Sequence, residues 1–288
     1  MKIAYMSDLH QEINGGFHAG RDLGHGDVLL LAGDITCTRF FADGRNDADA
    51  RSRQKSLRSL LTEALNAYRL VVWIPGNHEY YGSVFKTAKP TMDAWLEKEG
   101  LDTYVKFMEA GSHLVDGVLF VCATLWTNFN SGNPHTMEVC RNYMNDYCQI
   151  YAKDYREMTY VDWHGMENHC YITPQFILQK HLDQLTALKS ALITDLPTVV
   201  MTHHSPSFKS TWPRFASHEA NGAYCSSLED IILDNPQIKF WVHGHTHYNV
   251  DYPIGDCRVL SNQLGYVGYG NQPYRAIKDY EIRTFELP

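Results

Sequence analysis

What most limits the architecture open to this chain is a set of short, unbroken aliphatic runs, each cut off by a polar cluster: Ile3 to Met6, Val28 to Ala32 and Leu70 to Ile74. They are far shorter than the ~20 apolar residues a membrane-spanning helix needs. Nor do they alternate with polar residues, as a strand with one wet face would. Runs of this kind are strands buried on both faces, the strands of parallel sheets covered by helices. The intervening sequence agrees. Between Ala48 and Tyr68, Leu57, Leu60, Leu61, Ala64 and Leu65 recur at spacings of three and four, one apolar stripe of a crossover helix with Asp47 as its cap. Strand, helix and strand in this rhythm predict an α/β fold.

The rhythm continues with strands expected at His113 to Val115, Val118 to Ala123, Thr198 to Met201 and Lys239 to Val242. Helices are expected at Pro174 to Leu192 and Ser226 to Leu233, with Pro174 suited to a first helical turn. Tyr248 to Leu287 reads as short strands joined by turns at Pro253 to Asp256 and around Gly265 to Asn271, which suggests a second sheet packed on the first. One segment departs from the pattern. Thr127 to Tyr171 is long, rich in Tyr, Asn and His, and aperiodic, so it is expected to be an insertion or cap-like segment within a single domain spanning residues 1–288.

Composition narrows the functional classes. The chain has 288 residues, 44% hydrophobic and 20% charged, enough for a large core and too apolar for a disordered majority. A net charge of −8 disfavours broad capture of nucleic acid, which needs clustered Lys and Arg. Seven cysteines with no Cys-x-x-Cys pair indicate neither a disulfide framework nor a thiolate zinc site. Met1 runs directly into the first polar motif without space for a cleavable leader, so a cytoplasmic location is expected and no membrane partner.

The polar clusters carry the chemistry. Asp8-Leu9-His10, Gly33-Asp34, Gly76-Asn77-His78-Glu79, His203-His204 and His245-Thr246-His247 each stand where an expected strand ends. In open α/β sheets ligands bind outside those carboxyl ends. Singly, such short motifs are weak; five in register are not readily explained by packing. Carboxylates, imidazoles and an amide oxygen without thiolates suit divalent Mn, Fe, Zn or Ni. Asp8 and His10, two apart, can share one ion only if the backbone leaves the extended form between them. Gly244 permits similar tight turning ahead of His245 and His247.

In this order the motifs resemble those of the calcineurin-like metallophosphoesterases, over residues 7 to about 247. The resemblance implies a four-layer α/β/β/α sandwich with two central mixed β-sheets and the metal site at the carboxyl ends of strands. It further implies that Asp8, His10 and His247 hold a first metal, that Asp34 bridges two ions, and that Asn77, His203 and His245 complete the second. His203 is preferred to His204 as the residue directly at its strand end. His78 would stand beside the phosphoryl group rather than bind metal. The implied activity is hydrolysis of phosphomonoesters or phosphodiesters, of a small organic phosphate or nucleotide, by a hydroxide bridging two divalent or mixed-valence ions ~3.5–4 Å apart. Two alternatives stand beside it: a nuclease acting on nucleic-acid ends, and a non-catalytic binding module, for which a missing ligand or a missing His78 would be the sign. Glu79 either orients a histidine or bonds a loop. Asn128 and Asp146 resemble elements of a bacterial subgroup, and Lys209 or Arg214 could meet a non-scissile phosphate, although surface charge is the commoner outcome.

Overall fold

Alternation along the buried runs decides the layering. In strand β1 (Lys2–Met6), Ile3 and Tyr5 point to one side and Ala4 and Met6 to the other, and all four are buried. In β2 (Val28–Leu31), Val28 and Leu30 join the first set while Leu29 and Leu31 join the second. Both faces are therefore covered, and the runs are apolar throughout because neither face meets water. The computed structural model describes residues 1–15, 22–153, 170–268 and 280–287.

The first sheet has the order β11-β1-β2-β3-β4, with β3 at Leu70–Trp73, β4 at Val105–Phe107 and β11 at Arg283–Glu286. Its strands are parallel except β11, which pairs antiparallel with β1. The second sheet has the order β5-β6-β7-β8-β10-β9, from Ala110–Val115, Val118–Ala123, Thr198–Thr202, Ile238–His243, Cys257–Ser261 and Asp251–Ile254 respectively. Here β6, β7, β8 and β10 are parallel, and antiparallel β5 and β9 close the edges.

Between the sheets lies a core that joins Ile3, Tyr5, Val28, Leu30 and Val72 to Phe120, Val199, Met201 and Val242. Outside the first sheet, α2 (Ala48–Ala67) buries Leu57, Leu60, Leu61 and Ala64, and α3 (Phe85–Lys98) buries Met92 and Trp95. Outside the second, Leu188 of helix α6 (Pro174–Ala191) and Ile232 of α7 (Glu229–Leu233) pack on Val200 and Trp241. At about 1.5–3 kcal/mol for each fully buried large side chain, these layers drive folding. The result is the expected α/β/β/α sandwich with two mixed sheets. Three shorter helices, α1 (Gln11–Asn14), α4 (Pro134–Tyr143) and α5 (Asp146–Gln149), lie at the end where the site forms.

Register places that end. Met6 pairs with Leu31 and Leu31 with Trp73, so the loops after β1, β2 and β3 leave the sheet at one level. Met201 pairs with Val242, which does the same for β7 and β8. Hydrogen bonds from Asp8 N to the Gly33 carbonyl and from Gly244 N to the His203 carbonyl, both 3.0 Å, tie neighbouring loops together. His245 N, donating to the Asp8 carboxylate at 3.0 Å, ties the two sheets.

Candidate metal centre

Backbone conformation at the strand ends makes the cluster. Asp8 (φ 55°), His10 (φ 45°), Asp34 (φ 55°), His245 (φ 70°) and His247 (φ 49°) all occupy the left-handed region. Such conformations cost a non-glycine residue about 1–3 kcal/mol and collect at functional sites. Each turns the chain out of its strand, and Asp8 and His10 thereby converge instead of lying along one face. A side-chain carbon on Gly76 would run into the Asp34 carboxylate and the His203 ring, and one on Gly244 would stand 2.7 Å from Asp8 Oδ2. Both positions need glycine because the loops carrying Asp8, Asp34 and His203 pass so closely.

All eight residues singled out from the sequence come together. His10 Nε2 lies 3.0 Å from His247 Nε2, and His247 Nε2 lies 3.3 Å from Asp8 Oδ1. Asp34 stands between two groups, with Oδ2 3.7 Å from His10 Nε2 and Oδ1 3.4 Å from His203 Nε2. Asn77 Oδ1 is 3.2 Å from the same His203 nitrogen. His245 Nε2 is buried without a hydrogen-bond partner among the described residues, and it groups with Asp34 and His203 within metal-binding reach. His204 turns away: its ring packs tilted against that of His245 with centroids 4.1 Å apart, and its Nδ1 lies 3.4 Å from the Thr124 carbonyl.

The donor set fits cations. The Asn77 amide donates to Asp146 Oδ1 (2.8 Å) and to the Tyr81 hydroxyl (3.0 Å), which fixes its oxygen toward His203. His203 Nδ1 donates to the Ala32 carbonyl at 2.8 Å, so in the neutral ring Nε2 presents a lone pair to an amide oxygen and a carboxylate. Three lone pairs then converge with no proton among them. Either His203 takes up a proton or a metal ion fills the gap. Without the ion, burial opposes the charge on His203, but Asp34 raises its pKa to about 9. The mixture of nitrogen and oxygen donors is that of the divalent first-row metals.

His78 sits at the edge of this cluster. Its Nδ1 is 2.8 Å from Glu12 Oε1, its Nε2 is 2.9 Å from the Tyr266 hydroxyl, and its ring stacks on Tyr81 at 4.1 Å. Glu12 also meets His10 Nδ1 at 3.2 Å, so one carboxylate oxygen orients two imidazoles. Burial works against the charge on Glu12, yet the hydrogen bonds from His10 and His78 pull its pKa down to about 2. Burial likewise opposes the charge on His78, while Asp34 and Glu12 raise its pKa to about 9. Glu79, in contrast, is a loop clamp: it accepts from the backbone N–H groups of Asp34 (2.9 Å), Ile35 (2.8 Å) and Gly76 (2.6 Å). Burial and the neighbouring Asp34 charge raise its pKa to about 7.

Residues 1–249 match the family described as calcineurin-like phosphoesterase. The chain belongs to that family. A protein of Acanthamoeba polyphaga mimivirus described as uncharacterized is 24% identical over 275 residues, covering 92% of this chain and 91% of the relative. Among solved structures, a phosphopantetheinyl hydrolase from Mycobacterium tuberculosis superposes with a TM-score of 0.57 at 15% identity, over 92% of this chain and 89% of that one. At that identity the likeness is one of fold.

In this calcineurin-like phosphoesterase a cavity of about 340 Å³ opens onto Asp34, Asn77, His78, His245 and His247. Tyr143, Met144 and Asn145, from the segment expected to overhang the site, line it; residues 154–169 of that segment lie outside the described residues. Neither Lys209 nor Arg214 is among the lining residues. Asn128 caps a local turn by accepting from Ser131 N at 3.2 Å, whereas Asp146 touches the cluster through Asn77. Sequence reasoning missed Glu12 and Tyr266. Glu12, two residues past His10 and within the first turn after the motif, is the one with a signal to find.

Proposed function

We propose that this chain hydrolyses phosphate esters of small organic alcohols at a binuclear metal centre. The observation that carries the reading is Asp34, whose two carboxylate oxygens face different imidazoles, His10 and His203. Asp8, His10 and His247 would hold one ion, Asn77, His203 and His245 the other, and Asp34 both. Mn, Fe, Zn or Ni suits these donors. Such a pair supplies positive charge for the phosphoryl oxygens and hydroxide at neutral pH.

The protein's own groups do the rest. His78 has its Nδ1 against Glu12 and its Nε2 against Tyr266, and in this reading it stands on the substrate side of the ions rather than among their ligands. It is placed to pass its Nε2 proton to the leaving alcohol oxygen as the P–O bond breaks, with Glu12 stabilising the cationic ring beforehand. Asn77 brings a neutral oxygen where another carboxylate would repel an anionic substrate. The cavity, closed in by Tyr143 and Met144, suits a small phosphorylated substrate better than a polymer. All seven thiols are free, in keeping with the cytoplasmic expectation, and among the described residues no helix is long and apolar enough to cross a membrane.

The test is metal content together with rates on p-nitrophenyl phosphate and its bis ester, with Mn, Fe, Co, Ni and Zn, aerobically and anaerobically. Turnover with one or more of these metals is expected, and its absence with all of them would sink the reading. The ratio of the two rates assigns monoesterase or diesterase activity.

A further inference from the structure

The far walls of the cavity differ in chemistry from its floor. Asp34, Asn77 and the histidines of the cluster line one part, taken as the floor; Tyr143, Trp212, Phe215 and His218 line the part taken as the rim, and Tyr224, packed on His245 with ring centroids 4.8 Å apart, lies between them. These rings are arranged against one another, with Tyr143 and His218 centroids 4.8 Å apart and Trp212 and Phe215 5.5 Å apart. Yet Tyr143 remains 53% exposed and Phe215 37%. Aromatic surface held at the mouth of a catalytic cavity, rather than folded into the core, is surface kept for a ligand.

Two further observations limit that ligand. Among the described residues lining the cavity there is no lysine or arginine. Arg214 instead stands over the Trp212 and Phe215 rings, 5.8 and 5.5 Å from their centroids, and borders an adjoining depression that shares Phe215 and His218 with the cavity. A second phosphate would find no such charge to meet it. His218 Nδ1 accepts from Ala220 N at 3.2 Å, so in the neutral ring the proton is on Nε2, a single directed donor among aromatic faces.

We infer that the aromatic rim recognises a planar aromatic or heteroaromatic ring, carried by a substrate with one phosphate seated on the floor. The inference rests on the phosphoesterase reading. Nucleoside monophosphates and arylalkyl phosphates share this chemistry, and stacking on the rim supplies the selectivity, of the order of tenfold or more for each ring.

The experiment compares AMP, benzyl phosphate and ribose 5-phosphate on the metal-loaded protein. All three have a primary-alcohol leaving group, so differences in kcat/KM report the ring and not the chemistry. AMP or benzyl phosphate is expected to exceed ribose 5-phosphate by about tenfold or more, and whichever leads identifies the heteroaromatic or the plain aromatic source. Trp212→Ala and Phe215→Ala should bring the leading value down toward that of ribose 5-phosphate, with circular dichroism confirming that each variant folds. Turnover of all three esters at equal kcat/KM overturns the inference and leaves the phosphoesterase reading standing. Adenosine 3′,5′-bisphosphate outperforming AMP tenfold in release of the 5′-phosphate, from the same primary alcohol, overturns it also, by revealing a site for a second phosphate. If nothing is turned over, calorimetric titration decides: AMP or benzyl phosphate binding at least tenfold tighter than ribose 5-phosphate supports the rim while the hydrolytic reading fails, and equal affinities overturn the rim.

Discussion

A single buried carboxylate, Glu12, holds the outward nitrogens of both His10 and His78. Replacing it with Gln removes the charge but keeps the shape, so Glu12→Gln should lower kcat by about 10- to 100-fold and weaken binding of the ion that His10 is proposed to hold. Steady-state kinetics and elemental metal analysis would register both effects, and a variant with full activity and metal would remove Glu12 from the account. His78→Ala should behave differently. It should lower kcat by about 10²–10⁴-fold without loss of metal content, because in the proposed reading His78 moves a proton and does not hold metal. Full activity in that variant would show the role to be wrong. Asp8, His10, Asp34, Asn77, His203, His245 and His247 are legible in the chain because each abuts an apolar run. Asp146 is legible only through the family resemblance, and Glu12, although it falls in the first turn after the Asp8 motif, is one polar residue that folding alone carries to a histidine 66 positions away.

Elements with a continuous pattern read well. The strand Val118–Ala123 matches its expected span, and β1, β2, β3, β7 and β8 match theirs to within a residue or so at each end. Helix α6 starts where Pro174 places it, behind Thr173, whose side-chain oxygen accepts from Phe176 N at 3.2 Å. Thr173→Ala should therefore destabilise the protein by about 1 kcal/mol in urea unfolding, with no change in activity; an unchanged midpoint would mean that the cap contributes nothing. Helix α3 does not announce itself, since Pro90 lies inside it and removes one intrahelical hydrogen bond. It persists because Phe85, Ala88, Met92, Trp95 and Leu96 bury against the outer face of the first sheet. Helix α4 was hidden for the related reason that its apolar contacts are few, chiefly Met137 and Cys140.

At the scale of the molecule, the site joins loops from both sheets, so its occupancy should bear on global stability. Chelation is expected to lower the melting temperature and added Mn or Zn to restore it, by up to about 2.7 kcal/mol at a hundredfold excess over Kd. A melting temperature indifferent to chelator would argue against bound ions. One buried histidine should make part of the stability acid-sensitive. Burial depresses the pKa of His181, although its Nδ1 donates to the Leu125 carbonyl at 2.9 Å. The unfolded chain, with an ordinary value near ~6.5, therefore binds the proton first. This contribution is whole above that pH and is lost as pH falls toward the folded value, at no more than about 1.4 kcal/mol per pH unit. Since His78 and His203, with raised values, act in the opposite sense, the His181 contribution is read as a difference: between pH 7.5 and 5, His181→Asn should lose less stability in denaturant unfolding than the unmodified protein, and an identical pH dependence would clear His181. Within the chain itself, local patterning specified the strands, the main crossover helices and the strand-end positions of the metal-type side chains, because apolar periodicity and residue chemistry are properties of neighbours in sequence. The left-handed turns that aim Asp8, His10, Asp34, His245 and His247 at one point, the sharing of Glu12 and the aromatic rim of the cavity were decided by the tertiary structure. Each depends on which loops two stacked sheets bring to the same end, and no local signal encodes that distance.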